Sequence, residues 1–546
     1  MKMNRRKWLR WNLTIGALFI TDLTTEGTEN SRVRLIPSRP VPDFEMEEAT
    51  IEGLQDAMKS GRLKARTIAE AYLRRIEEID RHGPSLASVI ELNPDALEIC
   101  ESLDKERQLR GPRGPLHGIP LLLKDNIDTA DKMMTTAGSL ALEKSHPKRD
   151  AFLVRRLRDA GAVILGKTNL SEWANFRSGH SISGWSGRGG LTRNPYALDR
   201  NPCGSSSGSG VAISSNLGVV AVGTETDGSI VCPASANSIV GIKPTLGLVS
   251  RSGIIPIAQS QDTAGPMART VRDAVILLEV LSGVDADDQA TQAIRGRDAF
   301  DYSRFLDPKG LQGARLGVAR EFCGFNEEVD RLIDNCVGTM KQLGATIIDP
   351  AKILTVGKFE ESEMDVLLYE FKAGLNTYLS RLGLEVKVRS LKDLIEFNEQ
   401  NRDKEMPYFG QDLFQKAQAK GDLSSQQYRK SLKKNHRLSR VEGIDAVMQK
   451  HRLDALIAPT GGPPWLTDLV NGDHSTGGCS APAAVAGYPH ITVPAGYVHG
   501  LPVGISFFGK AFSEAALIRL AYAFEQATKL RRPPKFLPTA AFGARA

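Results

Sequence analysis

Three short stretches of this chain carry side chains suited to acyl transfer. Lys124 closes the apolar run of residues 119–124 and is followed by Asp125 and Asn126, Ser205 lies in a triple-serine loop, and Ser229 follows Thr226, Asp227 and Gly228. A serine hydroxyl is a poor nucleophile at neutral pH and needs a base beside it. Lysine can be that base only when its ammonium is destabilised. Bringing its pKa from ~10.4 to near 7 takes roughly 4 kcal/mol, which burial or a neighbouring charge can supply. A lysine ending a buried strand meets that condition, whereas a lone lysine is ordinarily a solvated surface residue.

A second arrangement uses some of the same residues. Gly204, Ser206 and Gly208 match G-x-S-x-G, which would make Ser206 the nucleophile of an α/β-hydrolase-like esterase with an acid and then a histidine downstream. A nucleophile elbow follows a strand directly, but residues 193–202 read as a polar loop. His436 and His451 lie in a charged helical region, His474 in a glycine-rich loop, and His490 and His499 flank a strand.

The elements that must position these groups follow from hydrophobic periodicity. Residues 45–81 read as two amphipathic helices broken near Ser60 and Gly61, and a further helix is expected around 94–109. Residues 119–124 read as a buried strand, 150–160 as a helix and 162–166 as a strand, an alternation that implies an α/β sandwich. Within the glycine- and serine-rich residues 178–270 lie a strand at 219–222 and a turn-rich segment at 224–229 that ends just before Pro233, a residue favoured in a first helical turn. Small residues between strand and helix let backbone amides point at a ligand. Residues 360–450 are charged and helical in pattern and read as an insertion or outer layer. Strands return at 455–458, 490–493 and 503–508, and a helix at 514–528 closes the chain.

Composition excludes several function classes. Of the net charge of +6, Lys2, Arg5, Arg6, Lys7 and Arg10 contribute +5, leaving a nearly neutral body with no footprint for nucleic acid. The six cysteines are too scattered for a disulfide scaffold, and none has metal-ligand spacing. Cys203 and Cys232 therefore read as small packing thiols beside the serine loops. No apolar window reaches the ~18 to 20 residues of a membrane span. Residues 1–30 resemble a twin-arginine export signal, with a disordered basic tail as the other reading, so the protein is exported if they act as a signal and cytoplasmic otherwise. Residues 31–44 read as a linker, 45–535 as one large domain and 536–546 as a tail. Trp173, Phe176 and Trp185 suit either a pocket lining or the core.

The motifs taken together resemble the amidase signature family. Residues 204–210, 223–233 and 241–245 look like the signature, residues 262–269, 488–496 and 501–504 are also family-like, and the likeness runs from about 45 to 530. It implies a mixed β-sheet core covered by helices on both faces, in a single large domain with a helical insertion. It also implies a Ser-cis-Ser-Lys triad. In it Ser229 is the acyl-forming nucleophile, Ser205 the bridging serine after a cis Gly204-Ser205 bond, and Lys124 the base that starts neutral. The backbone N–H groups of Thr226, Asp227, Gly228 and Ser229 match the oxyanion loop, while Ser206, Asp125 and Asn126 are supporting residues. The implied reaction is hydrolysis of a carboxamide with no metal or organic cofactor and an amide of a peptide or small molecule as partner. Many members have aspartate four residues before the nucleophile and arginine two after it. Glu225 and Val231 depart from that pattern and make the loop most like the branch acting on carboxy-terminally amidated peptides. An amidotransferase A-type subunit for tRNA transamidation and a non-catalytic binding protein are the other functions this scaffold allows.

Overall fold

The computed structural model describes residues 41–296 and 300–542, and the segment resembling an export signal lies outside them. Thirteen strands are found among the described residues. They are β1 (Val89–Leu92), β2 (Pro120–Lys124), β3 (Val163–Thr168), β4 (Trp185–Ser186), β5 (Gly190–Leu191), β6 (Val220–Glu225), β7 (Val240–Lys243), β8 (Thr263–Ala268), β9 (Arg315–Val318), β10 (Thr346–Ile348), β11 (Ala455–Pro459), β12 (His490–Val498) and β13 (Leu501–Phe508). Eleven of them form one mixed sheet in the order β1-β3-β2-β6-β8-β7-β12-β13-β11-β9-β10, and β4 pairs with β5 alone.

Nearly every residue of β2, β3, β6, β7, β8, β12 and β13 is buried. Strands buried on both faces read as continuous apolar runs and need helices on each side. The helices come from amphipathic segments. Ile51–Lys59 buries Ile51, Leu54, Ala57 and Met58 and is capped by the Thr50 side chain, which accepts from the Gly53 N–H. Ala65–Arg75 follows and runs on into the wider turn Ile76–Arg81. At the other end of the chain Glu514–Thr528 packs Leu517, Ile518, Leu520 and Phe524 into the core that also contains β12 and β13.

The strand arrangement brings the candidate residues to one end of the sheet. β2 and β6 are parallel, with Leu121, Leu122 and Leu123 opposite Val220, Ala221 and Val222, so Lys124 ends β2 beside Thr224 near the end of β6. β8 returns antiparallel to β6 and sets Thr263 opposite Glu225. Carboxyl ends of parallel strands are where open α/β sheets bind ligands. Next to this edge the helix Ser207–Ser214, built of small residues, is wholly buried. A Cβ on Gly208 would stand 2.3 Å from the Ser88 carbonyl oxygen and 2.4 Å from that of Asn169, so only glycine allows this helix to lie so close.

Residues 360–451 are helical throughout most of their length. The helix Glu360–Leu379 places Leu367, Leu368, Phe371 and Leu375 in a second apolar cluster with Trp173, Phe176, Ile255 and Ile257. The short helix Arg402–Glu405 is tied to the body through Arg177, whose guanidinium pairs with Glu172 and Glu405 and lies 4.1 Å from the centroid of the Phe409 ring. No helix among the described residues is long and apolar enough to cross a membrane.

Candidate active site

Lys124 is fully buried, and its amine is held by three oxygens. Nζ lies 2.8 Å from Ser205 Oγ, 2.8 Å from Thr224 Oγ1 and 3.2 Å from the Thr224 carbonyl oxygen. Burial pushes the ammonium down to about 7, against the opposing pull of the Glu225 and Asp262 carboxylates. Asn126 Nδ2 donates to the same Thr224 hydroxyl at 3.0 Å, which fixes the oxygen that Lys124 touches. Asp125 turns the other way. Its carboxylate accepts from the hydroxyl of Thr136 and the N–H of Gly138, and Arg188 lies 3.6 Å away, so it braces the chain after β2.

The peptide bond between Gly204 and Ser205 is cis. Ser205 is fully buried and its carbonyl oxygen accepts from the Ser171 N–H. Ser206 is buried as well, with Oγ donating to the Thr224 carbonyl at 3.1 Å and accepting from the Thr224 N–H at 3.2 Å. Its hydroxyl is spent on the β6 backbone, so the esterase arrangement lacks a free nucleophile at that position. The Ser206 N–H donates to the Ser229 carbonyl, which ties the two serine loops together.

Ser229 is 8 % exposed, and solvent reaches it alone of the candidate serines and lysine. The N–H groups of Thr226, Asp227, Gly228 and Ser229 find no acceptor among the described residues, whereas the next two are taken. Ile230 and Val231 donate to Glu225 Oε2 at 2.7 and 3.0 Å. Glu225 thus caps the helix Val231–Ala236 that starts just after Ser229, with Pro233 in its first turn. Gly228 has φ 77°, and a Cβ there would stand 3.1 Å from Ser480 Oγ. A run of unpaired N–H groups over a tight glycine turn is the geometry that binds a developing oxyanion.

Further groups brace this loop, and sequence reasoning assigned them no role. Thr226 Oγ1 donates to Asp262 Oδ1 at 2.6 Å, and burial pushes Asp262 up to about 6. Asp262 lies in a stretch already read as family-like, so motif context was the available signal. Gln261 Nε2 donates to Glu363 at 2.9 Å and to the Thr226 carbonyl at 3.3 Å. Burial first and the neighbouring Asp227 second raise Glu363 well above the usual carboxylate range. Behind the loop lies Lys243, fully buried and lowered to about 8 by desolvation, with Glu225 acting in the opposite sense.

One reading is corrected. Cys203 and Cys232 are not packing thiols but a disulfide spanning 29 residues, with Cα atoms 6.0 Å apart. Cys203 precedes the Ser205 loop and Cys232 follows Ser229. The Ser206 to Ser229 contact that joins the two loops also brings the sulfurs within bonding range. Trp173, Phe176 and Trp185 are core residues. Trp173 packs edge-on to Phe414, Phe176 against Phe371, and Trp185 against Phe409. A cavity of about 450 Å³ reaches Asn126, Thr224 and Thr226 from the side of the helix Glu360–Leu379.

Residues 67–518 match the family model described as Amidase. The crystal structure of the native peptide amidase from Stenotrophomonas maltophilia is 51% identical, with a TM-score of 0.86 over 90% of this chain and 100% of that one. A "Probable amidase" of Arabidopsis thaliana is 45% identical over 90% of this chain and 93% of its own length. The A-type subunit of the glutamyl-tRNA(Gln) amidotransferase of Symbiobacterium thermophilum is 34% identical over 86% and 95% respectively.

Proposed function

Because this chain belongs to the amidase signature family and hydrolyses amides, we propose that it releases ammonia from carboxy-terminally amidated peptides through an acyl-enzyme on Ser229. The observation that carries this reading is the contact of a fully buried lysine amine with Ser205 Oγ at 2.8 Å, at a site that holds the amine near neutrality. When neutral, the amine directs its two N–H bonds at the hydroxyl and carbonyl oxygens of Thr224. Its lone pair then faces the Ser205 hydroxyl.

The proton path follows from that arrangement. Ser229 Oγ attacks the carboxamide carbon and gives its proton to Ser205, which passes its own to Lys124. The carbonyl oxygen becomes an oxyanion that the unpaired N–H groups of residues 226–229 receive, and losing one such donor typically costs 10²- to 10³-fold in rate. As the C–N bond breaks, the proton returns from Lys124 through Ser205 to the nitrogen, which leaves as ammonia. Water then attacks the ester by the same relay and frees the carboxylic acid and Ser229.

The choice of peptide amides draws on two observations. The peptide amidase noted above is matched along its whole length at 51% identity, and Glu225 with Val231 sets this loop apart from the commoner aspartate and arginine pattern. The test is ammonia release by the full chain from a carboxy-terminally amidated peptide, a small aliphatic amide and an aryl amide, beside Ser229→Ala. Release from the peptide amide that falls by at least about 10⁴-fold in the variant is expected. Turnover surviving in Ser229→Ala refutes the nucleophile, and hydrolysis confined to the small amides refutes the substrate class. Because the assay contains no second protein, release by the chain alone also separates this reading from that of an amidotransferase component.

A further inference from the structure

We propose that a groove along one face of the helix Glu360–Leu379 receives the upstream residues of the peptide amide and selects for acidic side chains at its outer end. This rests on the peptide-amide reading above and adds to it a preference that nothing in the catalytic machinery requires.

The groove consists of two cavities that share walls. The inner one, about 450 Å³, starts at Thr226 and Asn126, and the outer one, about 730 Å³, opens among Lys148, Arg149, Arg155 and Arg381. Ser252, Ile254, Pro256, Gly374 and Thr377 line both, so the second continues the first. Glu370, Ala373, Gly374, Thr377, Tyr378 and Arg381 recur at helical spacing and form the helix-side wall. From Glu370 to Arg381 the rise is about 16 Å at ~1.5 Å per residue, the length of about five residues of extended peptide. The small side of Gly374 leaves room for a backbone at the junction.

Charge is distributed unevenly along this path. In the inner half the acids are committed: Glu370 accepts from Ser260 and Tyr428, Asp262 from Thr226, Ile257 and Ala258, and Asp288 pairs with Arg251. In the outer half Lys148, Arg149 and Arg381 are exposed and make no ion pair or side-chain hydrogen bond with any described residue. Arg155 lies over the Phe152 ring, its guanidinium carbon 5.5 Å from the centroid. The acids nearby are engaged. Asp150 is held by Arg158 and the Ala130 N–H, and Asp128 accepts from the Tyr378 hydroxyl. Asp287 stays exposed where the cavities meet. A ligand lying from Thr226 outward would therefore meet unpaired cations four or five residues from the carboxamide. In a body of almost no net charge, this concentration fits a peptide carrying aspartate or glutamate there better than a long polyanion.

The test uses the full chain and amino-blocked hexapeptide amides that differ only at the fourth and fifth residues counted back from the amide, as Asp-Asp, Ser-Ser or Lys-Lys. At low ionic strength kcat/KM for the Asp-Asp peptide is expected to exceed that for Lys-Lys by about tenfold, since each partly exposed pair contributes severalfold. The ratio should shrink towards unity at about 0.5 M salt. In Arg149→Glu/Arg381→Glu, with its thermal unfolding midpoint checked against the parent, the order should reverse; Arg381→Gln should show a smaller change in the same direction. Equal kcat/KM for the three peptides, or a preference that survives charge reversal, overturns the inference and leaves peptide-amide hydrolysis standing. Failure to hydrolyse any of the peptides, with a small amide still turned over, overturns the underlying reading as well.

Discussion

If Lys124 is the base, the rate of amide hydrolysis follows the fraction of Lys124 that is neutral. With the amine at about 7, about half is neutral at pH 7, about a tenth at pH 6 and about nine-tenths at pH 8. A lysine at its ordinary 10.5 would be neutral in roughly one molecule in 3,000 at pH 7. The assay is kcat/KM for ammonia release between pH 5 and 9, using an amide with no ionising group of its own. An acid limb centred near pH 7 is expected, and a limb lying above pH 9, or none at all, refutes the assignment. The same burial has a stability consequence that Lys124→Met exposes. The folded amine titrates below the unfolded one, so the native state binds fewer protons between about pH 7 and 10.5, and stability rises with pH across that window. At pH 6 the lysine is protonated in both states, and burying the charge costs about 4 to 5 kcal/mol. Lys124→Met removes that cost and loses the contacts to Ser205 and Thr224, each worth about 1 kcal/mol. The inactive variant should therefore be more stable than the parent by about 2 to 3 kcal/mol at pH 6 in urea unfolding, with the advantage shrinking towards pH 10. A variant less stable than the parent at pH 6 refutes the argument.

Three further outcomes follow from the loops around Ser229. Reducing the Cys203–Cys232 bond, or replacing both cysteines by alanine, should lower unfolding stability by about 3 to 4 kcal/mol for a closed loop of 29 residues, and should slow turnover in step with thiol release; full activity with two titratable thiols would show that the bond does not hold the serines. Gly228→Ala forces a side chain into positive φ and against Ser480, so stability should drop by about 1 to 2 kcal/mol and kcat by at least tenfold, with KM little changed. Ser206→Ala leaves the Thr224 backbone polar groups without their partner, and we expect a roughly tenfold loss of kcat while acyl-enzyme still forms on Ser229. Trapping by mass spectrometry checks this, and an acyl group found on Ser206 in the parent enzyme contradicts the role given to Ser229.

Much of the sheet is legible from apolar runs. Residues 119–124, 162–166, 219–222 and 503–508 read as strands, and each overlaps a strand of the large sheet because its side chains are buried on both faces. β8 is harder to read, since Gly265 and Pro266 suggest a turn; the strand nevertheless lies between β6 and β7, with Pro266 opposite Val222. β10 is three residues long and β1 four, too short for periodicity to emerge from neighbouring apolar residues. At the site, residue type and motif spacing drew attention to Lys124, Ser205, Ser206 and Ser229, and these do converge. What could not be read is pairing across the fold. Cys203 and Cys232 carry no spacing signature, and Glu363 comes from a charged helix with nothing local to mark it as the neighbour of Asp227. Thr224 is an ordinary β-branched strand residue until the parallel register with β2 sets it against the lysine.

The burial of Lys124 also governs when the protein can begin to act. Its partners Ser205 and Thr224 lie 81 and 100 residues further along the chain, and the contact requires β2 and β6 to be zipped together within a closed interior. Such long-range closure comes late in folding. Until then the side chain is wet and cationic, with no lone pair to offer. A chain still emerging from the ribosome, or one that has lost its interior to heat, carries every residue of the relay and none of its basicity. Catalytic competence is thus a property of the finished interior, and ammonia release doubles as a count of correctly folded molecules.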